Sequence, residues 1–181
     1  NFNREMSIRE ILTAVSAVKC RFPGLKLKMY GDFSTPELRN TTRQMIRRLG
    51  LEKTVEIRPP VAYAKMIKEI HKASIGLAVY KPVPNCFLGF PNKLLEFIGS
   101  GIPVVASDFP NYREVVENCK AGVLVDPFSP ASIADGIEEI LRSPSKAKAM
   151  SVCGAKTCAE KYGWENESRK LVKLYKKTAG Y

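Results

Sequence analysis

Apolar positions along this 181-residue chain follow two rhythms, short β-branched runs and longer stretches with an apolar residue every third or fourth place. Ile8, Ile11, Leu12, Val15 and Val18 share one face of a helix that Ser7-Ile-Arg-Glu10 opens as a capping box and Pro23-Gly24 closes. Leu25 to Tyr30 alternates apolar residues with lysine and stops at Gly31-Asp32, which reads as a strand entering a tight turn. Ser34-Thr35-Pro36-Glu37 announces a second helix that Gly50 ends. Val55 to Arg58 is a short strand, Tyr63 to Lys72 a helix, Ile75 to Tyr80 an apolar strand, and Lys81 to Leu88 a loop.

The run G-F-P-N-K-L-L-E-F-I-G-S-G-I-P-V-V from Gly89 to Val105 organises the remainder. Pro91 suits a first helical turn, Leu94, Leu95, Phe97 and Ile98 form its apolar stripe, and Lys93 and Glu96 share the opposite face as an i, i+3 pair. Gly101 caps that helix, and Ile102 to Ala106 is apolar throughout, as a strand buried on both faces should be. Asn111 to Glu114 fits a second capping box, Gly122 to Val125 is a last strand, and helices follow from Ser129 or Pro130 to Leu141, over 144–162 and over 165–178. Strands alternating with helices imply an α/β fold, a three-layer αβα sandwich around a mostly parallel sheet. Such a fold calls for a strand before the first helix. Only six residues stand there, beginning with Asn1 and not Met, so the chain reads as a fragment whose first strand is clipped.

The length fits one domain, 1–181, and the composition is that of a globular protein, 45% hydrophobic and 26% charged. The net charge of +11 is uneven. Residues 1–90 carry 16 Lys and Arg against 7 Asp and Glu, whereas 91–181 carry 13 against 11. A basic half calls for an anionic partner: nucleotide phosphates, an acidic lipid surface or nucleic acid. Arg39, Arg43 and Arg47 recur every four residues with Arg48 beside them, a pattern that serves as a solvated face, a nucleic-acid surface or a peripheral contact with anionic membrane. The cysteines at 20, 86, 119, 153 and 158 are odd in number and lack C-x-x-C spacing, which argues for reduced thiols in a cytoplasmic protein and against a disulfide framework or zinc. No Ser/His/Asp set, metal-spaced cluster or acid–base pair is apparent, and His71 sits late in its helix, where the dipole suffices to explain it.

The stretch P-N-K-L-L-E-F-I-G-S-G-I-P-V-V-A-S-D-F-P, followed by Glu114 and by G-V-L-V-D-P at 122–127, resembles the donor-binding half of group 1 (family 4) retaining glycosyltransferases, which have the two-domain GT-B architecture. The likeness extends over roughly 7–178 and implies a Rossmann-like domain that is one half of GT-B, lacking the N-terminal acceptor domain. It implies a nucleotide-sugar donor, UDP-sugar or GDP-sugar, as substrate, with no cofactor or metal on this domain. By position, Glu96 would hold the donor's ribose, and amides of Phe90, Asn92, Lys93 and Leu94 its diphosphate. A carboxylate accepts from two vicinal hydroxyls at once, which suits a ribose diol. Lys93 is a candidate to face the diphosphate, Gly89 and Gly31 to permit close approach or merely to turn, and Arg58 to Val61 to cradle the base. Two family positions differ. The first Glu of E-x7-E falls at Leu88, and a Lys or Arg before the first helix falls at Met6, with Arg4 or Arg9 nearby.

The resemblance implies a hexosyltransferase acting on a glycolipid or polysaccharide acceptor at the inner face of a membrane. The group is thought to need no protein nucleophile on this half, because the donor's phosphate assists departure, so no catalytic residue is assigned and the isolated domain is expected to be inactive. Leu88 and Met6 instead favour a degenerate, non-catalytic nucleotide-binding subunit. A basic nucleic-acid module lacks aromatic interleaving and any reader motif.

Overall fold

The computed structural model describes residues 2–89 and 92–178. Helices and strands alternate as α1 (Ile8–Arg21), β1 (Leu27–Tyr30), α2 (Pro36–Arg48), β2 (Val55–Arg58), α3 (Tyr63–Ile70), β3 (Gly76–Ala78), α4 (Pro84–Leu88), α5 (Asn92–Gly99), β4 (Val104–Ser107), α6 (Pro110–Cys119), β5 (Gly122–Val125), α7 (Pro130–Arg142), α8 (Pro144–Tyr162) and α9 (Trp164–Thr178). All strand pairing in the named ladders is parallel. β1 pairs with β2 from Leu27 opposite Val55, and β4 lies between β3 and β5 with Val104 opposite both Gly76 and Gly122. Residues 2–6 join the two ladders in place of the expected leading strand, through a parallel bridge from Phe2 to Phe33 and an antiparallel one from Met6 to Tyr80.

Successive strand residues point to opposite faces, and the core divides accordingly. Val79, Val105 and Val125 pack with Leu12, Val15 and Val18 of α1 and with Ile133, Ile137 and Ile140 of α7. Ala78, Val104 and Ala106 pack on the other face with Leu94 and Ile98 of α5, Val115 and Val116 of α6, and Cys158 of α8. These are the layers of the Rossmann-like αβα sandwich expected from the alternation. Glu138 on α7 ties the first face together: Arg21 of α1 donates to its Oε1 at 2.6 Å and Arg142 to its Oε2 at 2.7 Å.

Side-chain caps form where a hydroxyl stands just ahead of a proline, at Thr35, Ser129 and Ser143. Thr35 and Ser129 accept from the N–H groups of Leu38 and Ser132, each three residues on. The expected box at Ser7 and Glu10 does not form. Ser7 adopts φ −77°, ψ 51°, its side chain makes no cap, and its own N–H is drawn to the Val79 carbonyl at 3.2 Å. Nor does Asn111 cap α6. That helix starts one residue earlier at Pro110, with Phe109 in the N-cap position and the Asn111 side chain turned elsewhere. The expected 81–88 loop contains a helix, α4, because Pro84 presets its first turn. α5 ends in a Schellman arrangement, with Ile102 donating to the Phe97 carbonyl and Gly101 to that of Ile98.

Candidate functional site

In an open α/β sheet, ligands settle at the carboxyl ends of the strands, where loops leave the ladder and helix N-termini return. Here that edge converges on Tyr80, two residues beyond β3. Its backbone bridges Met6 at the start of α1, and the next residue, Lys81, donates to the Glu5 carbonyl at 2.7 Å. Its N–H donates to Ser107 Oγ at 2.7 Å while that hydroxyl donates to the Tyr80 carbonyl at 2.8 Å, locking the end of β3 to the end of β4. Its ring receives the ammonium of Lys93, 5.7 Å from the centroid, and meets Tyr112 edge-on at 6.4 Å. The N-termini of α1 and α5 therefore flank a single aromatic residue. Each terminus presents N–H groups that the helix cannot satisfy, and each carries the positive end of a dipole.

The candidate residues fall into two groups along this edge. Asn92 is exposed, Lys93 and Glu96 are half-buried, and Leu94 is fully buried, so that only its backbone is available to a ligand. Lys93 lies over Tyr80 and not against Glu96, which corrects the expected pair: among the described residues Glu96 makes no ion pair. A carboxylate without a protein partner keeps its lone pairs for a donor from outside. Phe90 and Pro91 lie outside the described residues. Gly89 is fixed by packing: a Cβ there would stand 2.3 Å from the Asn85 carbonyl oxygen, and its own carbonyl accepts from Asn111 Nδ2.

Gly31 and Arg58 form the second group, at the ends of β1 and β2. Gly31 donates to the Arg58 carbonyl at 3.0 Å and turns the chain with φ +144°, a region few side-chain-bearing residues enter. Arg58 pairs with Glu56 at 2.8 Å, an ion pair that raises the guanidinium's pKa and lowers the carboxyl's. Phe2, whose N–H donates to the Asp32 carbonyl, and Met6 link this group to the first.

Three contributors escaped the sequence reading. Tyr80 looked like the last apolar residue of a strand. Ser107, one residue past the expected strand, is fully buried and spends both hydrogen-bonding functions on Tyr80. Asn111 resembled a cap, whereas its amide holds the carbonyls of Cys86, at 3.2 Å, and Gly89. Ser7 Oγ, fully buried at the start of α1, has no hydrogen-bond partner among the described residues. No group of three His, Cys, Asp or Glu able to hold a metal occurs among them, and no helix is long and apolar enough to cross a membrane.

The family model described as Glycosyl transferases group 1 matches residues 1–157. D-inositol 3-phosphate glycosyltransferase of Corynebacterium urealyticum is 25% identical over 170 residues, covering 92% of this chain and 39% of the relative. An uncharacterized glycosyltransferase of Methanocaldococcus jannaschii is 30% identical over 110 residues, 61% of this chain and 27% of that one. Among solved structures, a glycosyltransferase from Rickettsia africae superposes with a TM-score of 0.83 at 20% identity, covering 94% of this chain and 44% of the other. Anabaena HepE in complex with UDP superposes with 0.82 at 19%, covering 93% and 44%. The chain thus spans about two fifths of the first relative and under half of each of these structures.

Proposed function

The chain belongs to the group 1 glycosyl transferases, and from that premise we propose that it is the C-terminal, donor-binding domain of a retaining family 4 enzyme, transferring a hexose from a nucleoside-diphosphate sugar to a glycolipid or polysaccharide acceptor. The observation that carries this reading is the convergence of the α1 and α5 N-termini on Tyr80, with Lys93 overhead and Glu96 one turn further along α5. Two adjoining helix ends and an ammonium suit a diphosphate, since free amides and aligned dipoles favour doubly negative groups. An unpaired carboxylate one turn away suits the ribose that follows a diphosphate in a nucleotide. In this arrangement Asn92, Lys93 and Leu94 contribute N–H groups, and Lys93 supplies the positive charge that Met6 does not. Gly31 and Arg58 border the side where a base would lie. The relatives support the donor class: Anabaena HepE is known in complex with UDP and with UDP-glucose.

These residues bind and orient the donor. Acceptor and remaining catalytic groups belong to a domain outside this chain, so sugar transfer by the 181 residues alone is expected to be undetectable. Calorimetric titration with UDP, GDP and ADP tests the binding step. One diphosphate binds, and Glu96→Ala weakens it by about 10- to 150-fold, the equivalent of the ~1.5–3 kcal/mol for hydrogen bonds to a charged group. Silence from all three nucleotides would discard the donor-site reading in favour of a non-catalytic subunit that has lost its site along with the Leu88 and Met6 positions.

A further inference from the structure

The donor site leaves unexplained a row of arginines on α2. Arg39, Arg43, Arg47 and Arg48 of α2 are all exposed, and among the described residues none of them is in an ion pair. Arg21, Arg58, Arg113 and Arg142, in contrast, each hold a carboxylate. At a helical rise of about 1.5 Å per residue, the first three stand ~6 Å apart along ~12 Å of one flank of α2. Solvated surface cations ordinarily intersperse with acids, and an uninterrupted row costs self-repulsion that a polyanion relieves.

The row also borders a concave surface. Between α2 and β2, an open cleft of about 240 Å³ is walled by Arg43 and Arg47, floored by Ile46, Val55 and Ile57, and carries Glu52 at its rim. β2 is the terminal strand of its ladder, pairing only with β1, so nothing further in that ladder closes the cleft. Guanidinia beside a small aliphatic floor match a group in which phosphate adjoins saturated carbon. A phospholipid headgroup region has this character, with phosphate next to glycerol. Nucleic acid presents phosphate next to flat bases, and no aromatic residue lines the cleft.

We propose that the α2 flank formed by Arg39, Arg43 and Arg47, together with the cleft against β2, is a docking surface for an anionic phospholipid bilayer. It is separate from the donor site, and its success or failure says nothing about nucleotide binding. Each cation near an anionic surface is worth roughly a fivefold gain in partitioning, so the three together are worth about 100-fold.

Flotation of the 181-residue chain with vesicles of phosphatidylcholine alone, or mixed with phosphatidylglycerol, tests the surface. Wild-type protein floats with the mixed vesicles at low salt, stays unbound with phosphatidylcholine, and is released by about 0.5 M salt. Arg39→Gln/Arg43→Gln/Arg47→Gln lowers partitioning about 100-fold while the unfolding midpoint stays within a degree or two, since exposed arginines contribute little to stability. Lys173→Gln/Lys176→Gln on α9, which removes two charges from another basic surface, serves as a control and keeps most of the binding. Failure of wild-type protein to float, equal flotation of the triple variant, or loss through the α9 pair instead would each overturn the assignment. So would duplex DNA stripping the protein from vesicles at equal phosphate, which would give the surface to nucleic acid.

Discussion

Tyr30, the last residue of β1, donates its hydroxyl to Glu69 on α3 at 2.8 Å, while Lys72 reaches the other carboxylate oxygen at 2.7 Å and Lys28 stands 3.6 Å away. Lys72 foremost, then Tyr30, hold the Glu69 carboxyl down at about 2 from an ordinary 4.5. The folded protein therefore takes up this proton later than the unfolded chain does. Stability from the interaction is fully present above about 4.5 and disappears as pH falls through about 2. Wild-type protein is expected to lose its lead over Glu69→Gln across that window, the two melting curves meeting at its acid end. A gap that persists at the lowest pH would show that the carboxylate is not what holds Tyr30. The lead is small, because the lysines that pair with Glu69 are exposed to solvent. Its consequence is positional all the same: Tyr30 precedes Gly31, so this carboxylate steadies the turn that borders the candidate base side.

Between β3 and α5 the chain makes a short helix, α4, that ends at Gly89. It is held from α6. Asn111 donates to the carbonyls of Cys86 and Gly89 in that connection, and its own Oδ1 is buried without a partner among the described residues. Asn111→Ala leaves two carbonyls short of a donor, at about 1 kcal/mol each. We expect faster proteolytic cleavage within 84–91 and several-fold weaker diphosphate binding, with an unchanged denaturant slope. Unaltered cleavage would mean that the connection is held by other contacts. The same segment marks where sequence reading stops. Thr35 and Ser129 were legible as caps because hydroxyl, proline and apolar stripe adjoin in the chain. β2 and β5 were legible to the residue because each is a short run rich in β-branched residues that a proline, Pro59 or Pro127, soon stops. Asn111 and Ser7 each open a capping-box pattern, but each answers to a distant partner, the carbonyls at 86 and 89 in one case and Val79 in the other. Tyr80 was invisible as a hub for the same reason: Met6, Lys93 and Ser107 reach it from three separate parts of the chain. Local pattern specifies elements, whereas tertiary hydrogen bonds decide which side chains meet.

Across the whole molecule, burial is graded from the sheet outward. Among the described residues, α1 and α7 contribute ten of the eighteen in one core cluster, and Glu138 clamps their ends through Arg21 and Arg142. α9 is the opposite extreme. None of its residues is buried, Trp164 is 69% exposed, and Leu171, Val172, Leu174 and Tyr175 are also exposed along it. Helix propensity and the Lys170–Glu167 pair favour the helix by only tenths of a kcal/mol, and a helix of this length is marginal without packing. In this chain α9 should therefore open without disturbing the sheet. Hydrogen exchange monitored by mass spectrometry is expected to place its amides at least about 100-fold faster than those of α1 and α7, because its opening free energy lies several kcal/mol below the global value. Comparable protection in α9 and α7 would show instead that its apolar side is covered in solution, and dilution would then distinguish self-association, which it reverses, from packing within one chain, which it leaves intact.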